Sequence, residues 1–187
     1  MLEILHTEYP KVRLVITEGT AQDACSMLRE SVLDVAFMAS TYEIPDLNTR
    51  IIWRDRPMVA LPARHLLATH SDVEWRQLAK ETFIVRQSGT GPQVHALIVV
   101  RSVGRWLTRE IVRLNVERNT LMRMIAAGQG ISLFVREGVA PCATNVVFLP
   151  IRDEPETIPF SAVWSPQNRD PALLNLLNLA MKMGPST

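Results

Sequence analysis

The sequence predicts an α/β fold divided into two subdomains. Segments that are apolar, or that alternate with the period of a strand, recur along the 187 residues with helix-like amphipathic segments between them. The order strand–helix–strand occurs over residues 11–38 and again over residues 82–117. Late strands and a last helix follow, which favours a chain that returns to its first subdomain over one continuous sheet. We therefore assign residues 1–60 and 150–187 to subdomain I and residues 61–149 to subdomain II.

The first strand–helix–strand unit begins at Lys11–Glu18, where apolar residues alternate as in a strand. A helix is predicted over 21–31, and the nearly wholly apolar segment 33–38 is predicted as a buried strand parallel to the first. Thr20 stands at the N-cap position, with Asp23 three residues later as a weak capping box. Free N–H groups at such a helix start attract anions and polar ligands, so Thr20 is the first candidate ligand residue.

The remaining elements follow in order along the chain. Residues 2–9 are predicted as the last turns of a helix that Pro10 ends. Further strands are predicted at 50–53, 58–61, 82–86, 111–117, 131–135, 146–151 and 160–164. Further helices are predicted at 73–79, from Pro92 to about 104, from Asn119 or Thr120 to 127, and at 171–183.

Predicted strands repeatedly end in a short polar turn that leads into a helix, at Glu18–Thr20, Arg86–Pro92 and Arg118–Thr120. Each turn alone could be no more than a helix cap. Their recurrence favours a ligand site, because α/β folds bind ligands at the carboxyl edge of the sheet. The candidates from these turns are Thr20, Ser88, Gly89 and Asn119. Arg86, beside the Ser88 turn, could pair with a carboxylate ligand or could simply be exposed.

Composition and motifs argue against several classes of protein. The net charge of +1 suggests neither a nucleic-acid surface nor a polybasic membrane patch, and no apolar run approaches the roughly 20 residues of a membrane span. The two cysteines are too few for a disulfide framework, and the N-terminus lacks a secretory signal, which predicts a cytoplasmic protein. The Ser88–Gly91 turn lacks the ending of a P-loop. The histidines lack the spacing of metal ligands, and no catalytic pair stands out, so we expect no enzyme, metal or cofactor.

Longer stretches match a known pattern in order and spacing. They are Tyr9–Gly19, Leu33–Phe37, Met58–His65 and Met124–Ile131. Together they resemble the effector-binding domain of LysR-type transcriptional regulators. The third stretch is similar to that family's strand into a "P-x-x-H-P-L" turn, with Leu66 where proline is usual. The fourth is similar to its "V-A-A-G-x-G-I" helix end and strand.

The resemblance implies a cytoplasmic sensor with a type II periplasmic-binding-protein fold, in which two Rossmann-like subdomains hold a small effector. Organic or aromatic acids are the effector class that it implies. It further implies that the family's first strand and its DNA-binding winged helix-turn-helix lie ahead of Met1, so that promoter DNA is reached only through that missing domain. A homodimer is expected, with Leu2–Tyr9 and Val12–Glu18 of one copy against the helix after Pro92 of the other. A tetramer is expected of the full-length protein, and no membrane partner.

Carried over position by position, the resemblance implies ligand contacts from both subdomains. These are Thr20 at a helix start, Ser40 and Thr41 after the next strand, Pro62 near the crossing, Ser88 and Gly89 in their turn, Asn119 at the opposite helix cap, and Phe134 as an apolar wall. A periplasmic solute-binding protein of the same fold type is the alternative interpretation. An α/β enzyme is a more remote one.

Overall fold

The computed structural model of the chain describes residues 2–39, 44–102, 110–135 and 145–183. Its helices are α1 Leu2–Glu8, α2 Ala21–Arg29, α3 Gly91–Ser102, α4 Arg118–Ala126 and α5 Pro171–Met183. Its strands are β1 Ala36–Ala39, β2 Asn48–Asp55, β3 Pro57–Pro62, β4 Phe83–Arg86, β5 Ile111–Leu114, β6 Ser132–Val135, β7 Val146–Pro150 and β8 Ile158–Trp164. No helix in these ranges is long and apolar enough to cross a membrane.

Two compact units emerge from the contacts within the chain. The first contains Met1–Arg54 and Pro159–Thr187, and the second contains Asp55–Ile158. The boundaries between the units follow residues 54 and 158, whereas the sequence analysis placed them after residues 60 and 149. The reason is pairing: β3 lies between β6 and β7 in a sheet of the second unit, so its residues belong to that unit.

The first unit is built on a sheet with the strand order β1-β8-β2. β1 and β8 run antiparallel, with Ala36 opposite Val163. Val163 packs against Leu28 of α2, which is completely buried, whereas the neighbouring Ala162 packs with Leu173 and others from α5. Because successive strand residues point to opposite faces, one helix covers each side of the sheet.

Residues 12–18, which make up most of the strand predicted over Lys11–Glu18, form no strand in the structure. They have no regular secondary structure, and among the described residues no strand lies beside them to complete a ladder. The exposed fractions of Val15 and Ile16 are 77% and 66%. The strand prediction is therefore wrong, because a strand needs a pairing neighbour and an alternating pattern does not supply one. Of the first predicted strand–helix–strand unit, α2 and β1 are present.

The second unit contains two sheets that an isolated bridge connects. β4 and β5 pair in parallel, with Phe83 opposite Ile111, and Phe83 also bridges Ile131 in parallel, one residue before β6. β5, β4 and β6 therefore run in the same direction and end at one edge. One face of these strands packs Trp75, Phe83 and Ile98, and the other packs Ile84 against Ile125 of α4.

Two helix predictions in this unit need correction. α4 begins at Arg118, with Glu117 rather than Asn119 or Thr120 at the N-cap, because the carbonyl of Glu117 already accepts the N–H of Leu121. The predicted strand 111–117 accordingly stops at Leu114. The helix predicted at 73–79 is a 3-10 turn over Trp75–Leu78, since Val73 is held by backbone bonds beside Ile151.

A buried ion pair fixes the segment that leads out of the second unit. The side chain of Glu154 is 1% exposed and accepts hydrogen bonds from Arg101 at 2.7 and 2.8 Å and from the Trp75 indole at 3.0 Å. Burial favours the neutral acid, but these donors hold the pKa of Glu154 below its usual range. Arg101 thus joins the end of α3 to the segment before β8.

Candidate functional site

The turn after β4 is built around two glycines. Gly89 has a φ of +58°, and a Cβ there would lie 2.8 Å from the guanidinium of Arg86, which folds over it. A Cβ on Gly91 would lie 1.9 Å from the carbonyl oxygen of Arg86. The start of α3 therefore lies directly against the end of β4, an approach that only glycine permits. Ser88 closes the turn by accepting the Gly91 N–H at 3.1 Å.

Arg86 is a partly buried cation for which the described residues supply no polar partner. Among the described residues it makes no hydrogen bond and no ion pair. A guanidinium stays charged and carries five N–H donors, so partial burial without an acceptor is unfavourable. The arrangement suits an anion, because the start of α3 adds the positive end of a helix dipole beside the same side chain.

The neighbouring strand ends bring a second arginine and an aromatic wall to this edge. Arg118 is the first residue of α4, and its guanidinium carbon lies 5.5 Å from the centroid of the Phe134 ring on β6. Phe134 also packs edge-on against Phe148, with 5.7 Å between ring centroids. Glu117 makes no side-chain hydrogen bond that caps α4, and Asn119 is exposed in the first turn.

The start of α2 in the first unit is already satisfied by its own carboxylate. Thr20 Oγ1 accepts the Asp23 N–H at 3.2 Å and donates to Asp23 Oδ2 at 2.6 Å, and the Thr20 N–H donates to the same oxygen at 3.2 Å. The predicted capping box is thereby confirmed. These hydrogen bonds from Thr20 hold the pKa of Asp23 below its usual value, so the carboxylate is ionised at neutral pH. A second anion at this helix start would meet that charge.

The predicted ligand residues do not all lie together. Arg86, Ser88 and Gly89 follow β4, and Phe134 lies on the neighbouring β6 at the same edge. Pro62 does not reach that edge: β3 runs antiparallel to β6 with Pro57 opposite Val135, so Pro62 ends β3 at the other side of the sheet. Ser40 and Thr41 lie outside the described residues.

Sequence reasoning missed Arg118 as a candidate. Arg118 belongs to the Arg118–Thr120 turn, but the candidates there were selected for hydroxyl or amide side chains. The signal that would have found it is its place after a strand that stops at Leu114, because the helix can then begin with the arginine itself.

A separate hollow of about 410 Å³ lies in the first unit beside α1. The residues around it are Leu5, His6, Pro10, Lys11, Val12, Arg13 and Leu14. None of the predicted ligand residues is among them. The hollow borders residues 10–14, a segment beside which the described part of the chain places no strand.

Comparison with known proteins gives a consistent result. The chain matches the family model for the LysR substrate binding domain over residues 1–184. The HTH-type transcriptional regulator TtuA of Agrobacterium vitis is 23% identical, over 96% of this chain and 60% of the relative. ShiR of Corynebacterium glutamicum, also an HTH-type transcriptional regulator, is 24% identical over 86% of this chain and 55% of the relative. The chain thus spans little more than half the length of these relatives.

Solved structures show the same fold. The effector-binding domain of BenM with benzoate aligns with a TM-score of 0.78 at 20% identity, covering 97% of this chain and 82% of that one. The CcmR regulatory domain of Synechocystis PCC6803 in complex with 2-PG aligns with a TM-score of 0.83 at 16% identity, covering 98% and 90%. The effector-binding domain of QuiR in complex with shikimate aligns with a TM-score of 0.77 at 17% identity, covering 97% and 89%. The predicted α/β fold of the periplasmic-binding-protein type is confirmed.

Proposed function

Because the chain belongs to the LysR substrate binding domain family, we propose that it is the effector-sensing part of a LysR-type transcriptional regulator. A small organic acid binds to it and shifts the populations of its conformations, and the full-length protein converts that shift into a change in transcription. Promoter DNA is contacted by a helix-turn-helix part of the regulator, as the designations of the relatives suggest. The protein works in the cytoplasm, and we assign it no catalytic activity.

One observation carries the choice of an acid: Arg86 is partly buried and has no acceptor among the described residues. A carboxylate would supply one, and two parallel N–H···O bonds to a guanidinium are among the strongest contacts available to it. Ser88 and the start of α3 add neutral donors beside it. Two structural neighbours hold benzoate and shikimate, both carboxylates, which supports the same class.

The oligomer that we propose is a homodimer of this domain within a tetrameric full-length regulator. Exposed apolar side chains support it in both units. Val15 and Ile16 are exposed in the segment between α1 and α2, and on α3 the exposed fractions of Val99 and Val100 are 40% and 59%. Groups of exposed apolar residues are typical of protein contacts.

The test is a thermal-denaturation screen of the protein against benzoate, shikimate and other small carboxylates. A true effector raises the melting temperature progressively with its concentration, because binding adds about 2.7 kcal/mol to the free energy of unfolding at a hundredfold excess over its Kd. Arg86→Gln is expected to abolish the effect. Arg113→Gln is the matched control, because Arg113 is exposed on the adjacent β5 and carries the same charge.

Two results would count against the proposal. One is that no carboxylate stabilises the wild-type protein at millimolar concentration. The other is that Arg86→Gln and Arg113→Gln respond to the acid equally, since the unpartnered guanidinium would then have no part in binding.

A further inference from the structure

The helix α3 connects the Arg86 turn with a buried ion pair at its other end. It has 12 residues, Gly91–Ser102, and is therefore about 18 Å long. At its start, Gly91 lies against the backbone of Arg86, where a Cβ would come within 1.9 Å of the carbonyl oxygen. Near its end, the Arg101 guanidinium donates to both carboxylate oxygens of Glu154, at 2.7 and 2.8 Å. One rigid element thus makes a close contact at each end.

The buried side of α3 belongs to the same packed interior as this ion pair. Ile98 is completely buried in one cluster with Trp75, and Val94 packs against that cluster. The Trp75 indole N–H in turn donates to Glu154 at 3.0 Å. Close-packed interiors have low compressibility and transmit small shifts. We therefore expect Glu154 to follow any displacement of α3.

The segment after Glu154 leads out of the second unit, which ends at Ile158. The Arg101 nitrogen Nη2 that contacts Glu154 also lies 3.0 Å from the carboxylate of Glu156. The side chain of Glu154 is 1% exposed, whereas that of Glu156 is 75% exposed. Breaking the buried pair is costly, but an exposed ion pair opens and closes at little cost. The Arg101–Glu156 contact therefore has two accessible arrangements, closed and open.

We propose that α3 couples occupancy of the Arg86 turn to residues 156–158, with the Arg101–Glu156 contact as the part that changes. This rests on the proposed function and adds to it the route by which a bound acid acts. An acid on Arg86 shifts the start of α3, the shift reaches Arg101, and the population of the closed contact changes. Arg101 and Glu156 are positioning residues in this scheme, because both lie at the end of α3 away from the acid.

Amide hydrogen exchange in Glu156→Gln, measured by NMR without ligand, tests the reverse direction of the coupling. The substitution preserves the size of the side chain and removes only an exposed charge, so the fold should be retained. Because coupling between two sites is reciprocal, the amides of residues 88–94 should exchange roughly twofold to fivefold faster than in wild type. Glu110→Gln is the matched control, since Glu110 is an exposed glutamate of the same unit that lies outside α3.

Benzoate and shikimate test the forward direction. A bound acid should change the exchange of residues 156–158 by about twofold or more, and the reporter nearest the contact is the Glu156 N–H, which donates to Glu154 at 3.2 Å. Arg86→Gln should abolish this response. In Glu156→Gln, calorimetry should show the affinity for the acid shifted by about twofold to fivefold, with Glu110→Gln equal to wild type.

The outcomes separate this inference from the proposed function. Equal exchange of residues 88–94 in wild type and Glu156→Gln would overturn the coupling, and so would an identical change in Glu110→Gln. If acids bind through Arg86 but leave residues 156–158 unchanged, the proposed function stands and the coupling is overturned. If neither acid binds while Glu156→Gln still alters residues 88–94, the coupling stands and the proposed function fails.

Discussion

The helices α2 and α4 begin in opposite electrostatic states. At the start of α2, Thr20 and Asp23 satisfy one another and place a carboxylate at the positive end of the helix. At the start of α4, Glu117 makes no capping hydrogen bond and Arg118 adds a further positive charge. Both starts look alike in sequence, as a polar turn ahead of a helix. The difference teaches that a helix start can receive a ligand only if the chain's own side chains leave it open.

A third helix start, that of α3, depends on the turn that carries Arg86, and Gly91→Ala should disrupt this turn. The new Cβ would lie 1.9 Å from a backbone oxygen, which cannot be relieved by turning a side chain. We expect a loss of about 3 kcal/mol or more in the free energy of unfolding, together with loss of acid binding. Urea denaturation measures the first and calorimetry the second.

Gly128→Ala is the control for that experiment. Gly128 has a φ of +78°, but a Cβ there meets nothing within 4 Å. Only backbone strain remains, with an expected cost of about 1 kcal/mol and no effect on acid affinity. Equal losses in the two alanine variants would contradict the close approach of α3 to β4.

Two arginines of the second unit sharpen the comparison between paired and unpaired charge. Arg101→Met leaves Glu154 buried without its cation, which should cost about 3 kcal/mol in unfolding free energy. Arg86→Met removes a charge that has no partner in the part of the chain that the structure describes, so the change in stability without ligand should stay within about 0.5 kcal/mol. Chemical denaturation of both variants measures the difference. A large loss in Arg86→Met would mean that the guanidinium is already engaged.

Thr20→Ala tests whether the start of α2 is purely structural. Loss of the N-cap hydroxyl should lower the free energy of unfolding by about 1 kcal/mol, because the Asp23 N–H loses its acceptor. Affinity for an acid that binds through Arg86 should not change. A substantial drop in that affinity, measured by calorimetry, would restore Thr20 as a ligand contact.

The smallest expected effect is the pH dependence of the same cap. Thr20 lowers the pKa of Asp23 in the folded state, so the contribution is complete above the unfolded pKa and is lost as pH falls through the folded value. The stability difference between wild type and Thr20→Ala should therefore stay constant from about pH 7 to about pH 4 and shrink as the pH falls further. The Asp23 titration followed by NMR gives the pKa directly, and it should rise toward its usual value in the variant.

The local sequence pattern was sufficient to predict elements whose bounds depend on their own residues, such as a helix with a continuous apolar face. The terminal helix was predicted at 171–183 and is Pro171–Met183, because its leucines repeat at helical spacing and Asp170 precedes it as a cap. The strand predicted at Lys11–Glu18 failed, since pairing depends on a neighbour that its own residues do not encode.

The candidate site was partly predictable for a related reason. The Arg86–Gly89 turn is a local feature, and sequence spacing found it. The position of Pro62 depends on the antiparallel direction of β3, which is set by pairing with distant strands. The contact of the Arg118 guanidinium with the Phe134 ring joins residues sixteen positions apart along the chain. Such relations arise only when the sheet has formed.

The division of the chain also determines which of the two units can fold first during translation. Residues Asp55–Ile158 form an uninterrupted unit, whereas β1 and α2 must await β8 and α5 for their sheet to be closed on both faces. During translation the second unit therefore has all its strands outside the ribosome while the first still lacks its last strand and helix. A nascent chain that stops near residue 158 should already contain a protease-resistant inner unit with an unfinished one at its N-terminal side.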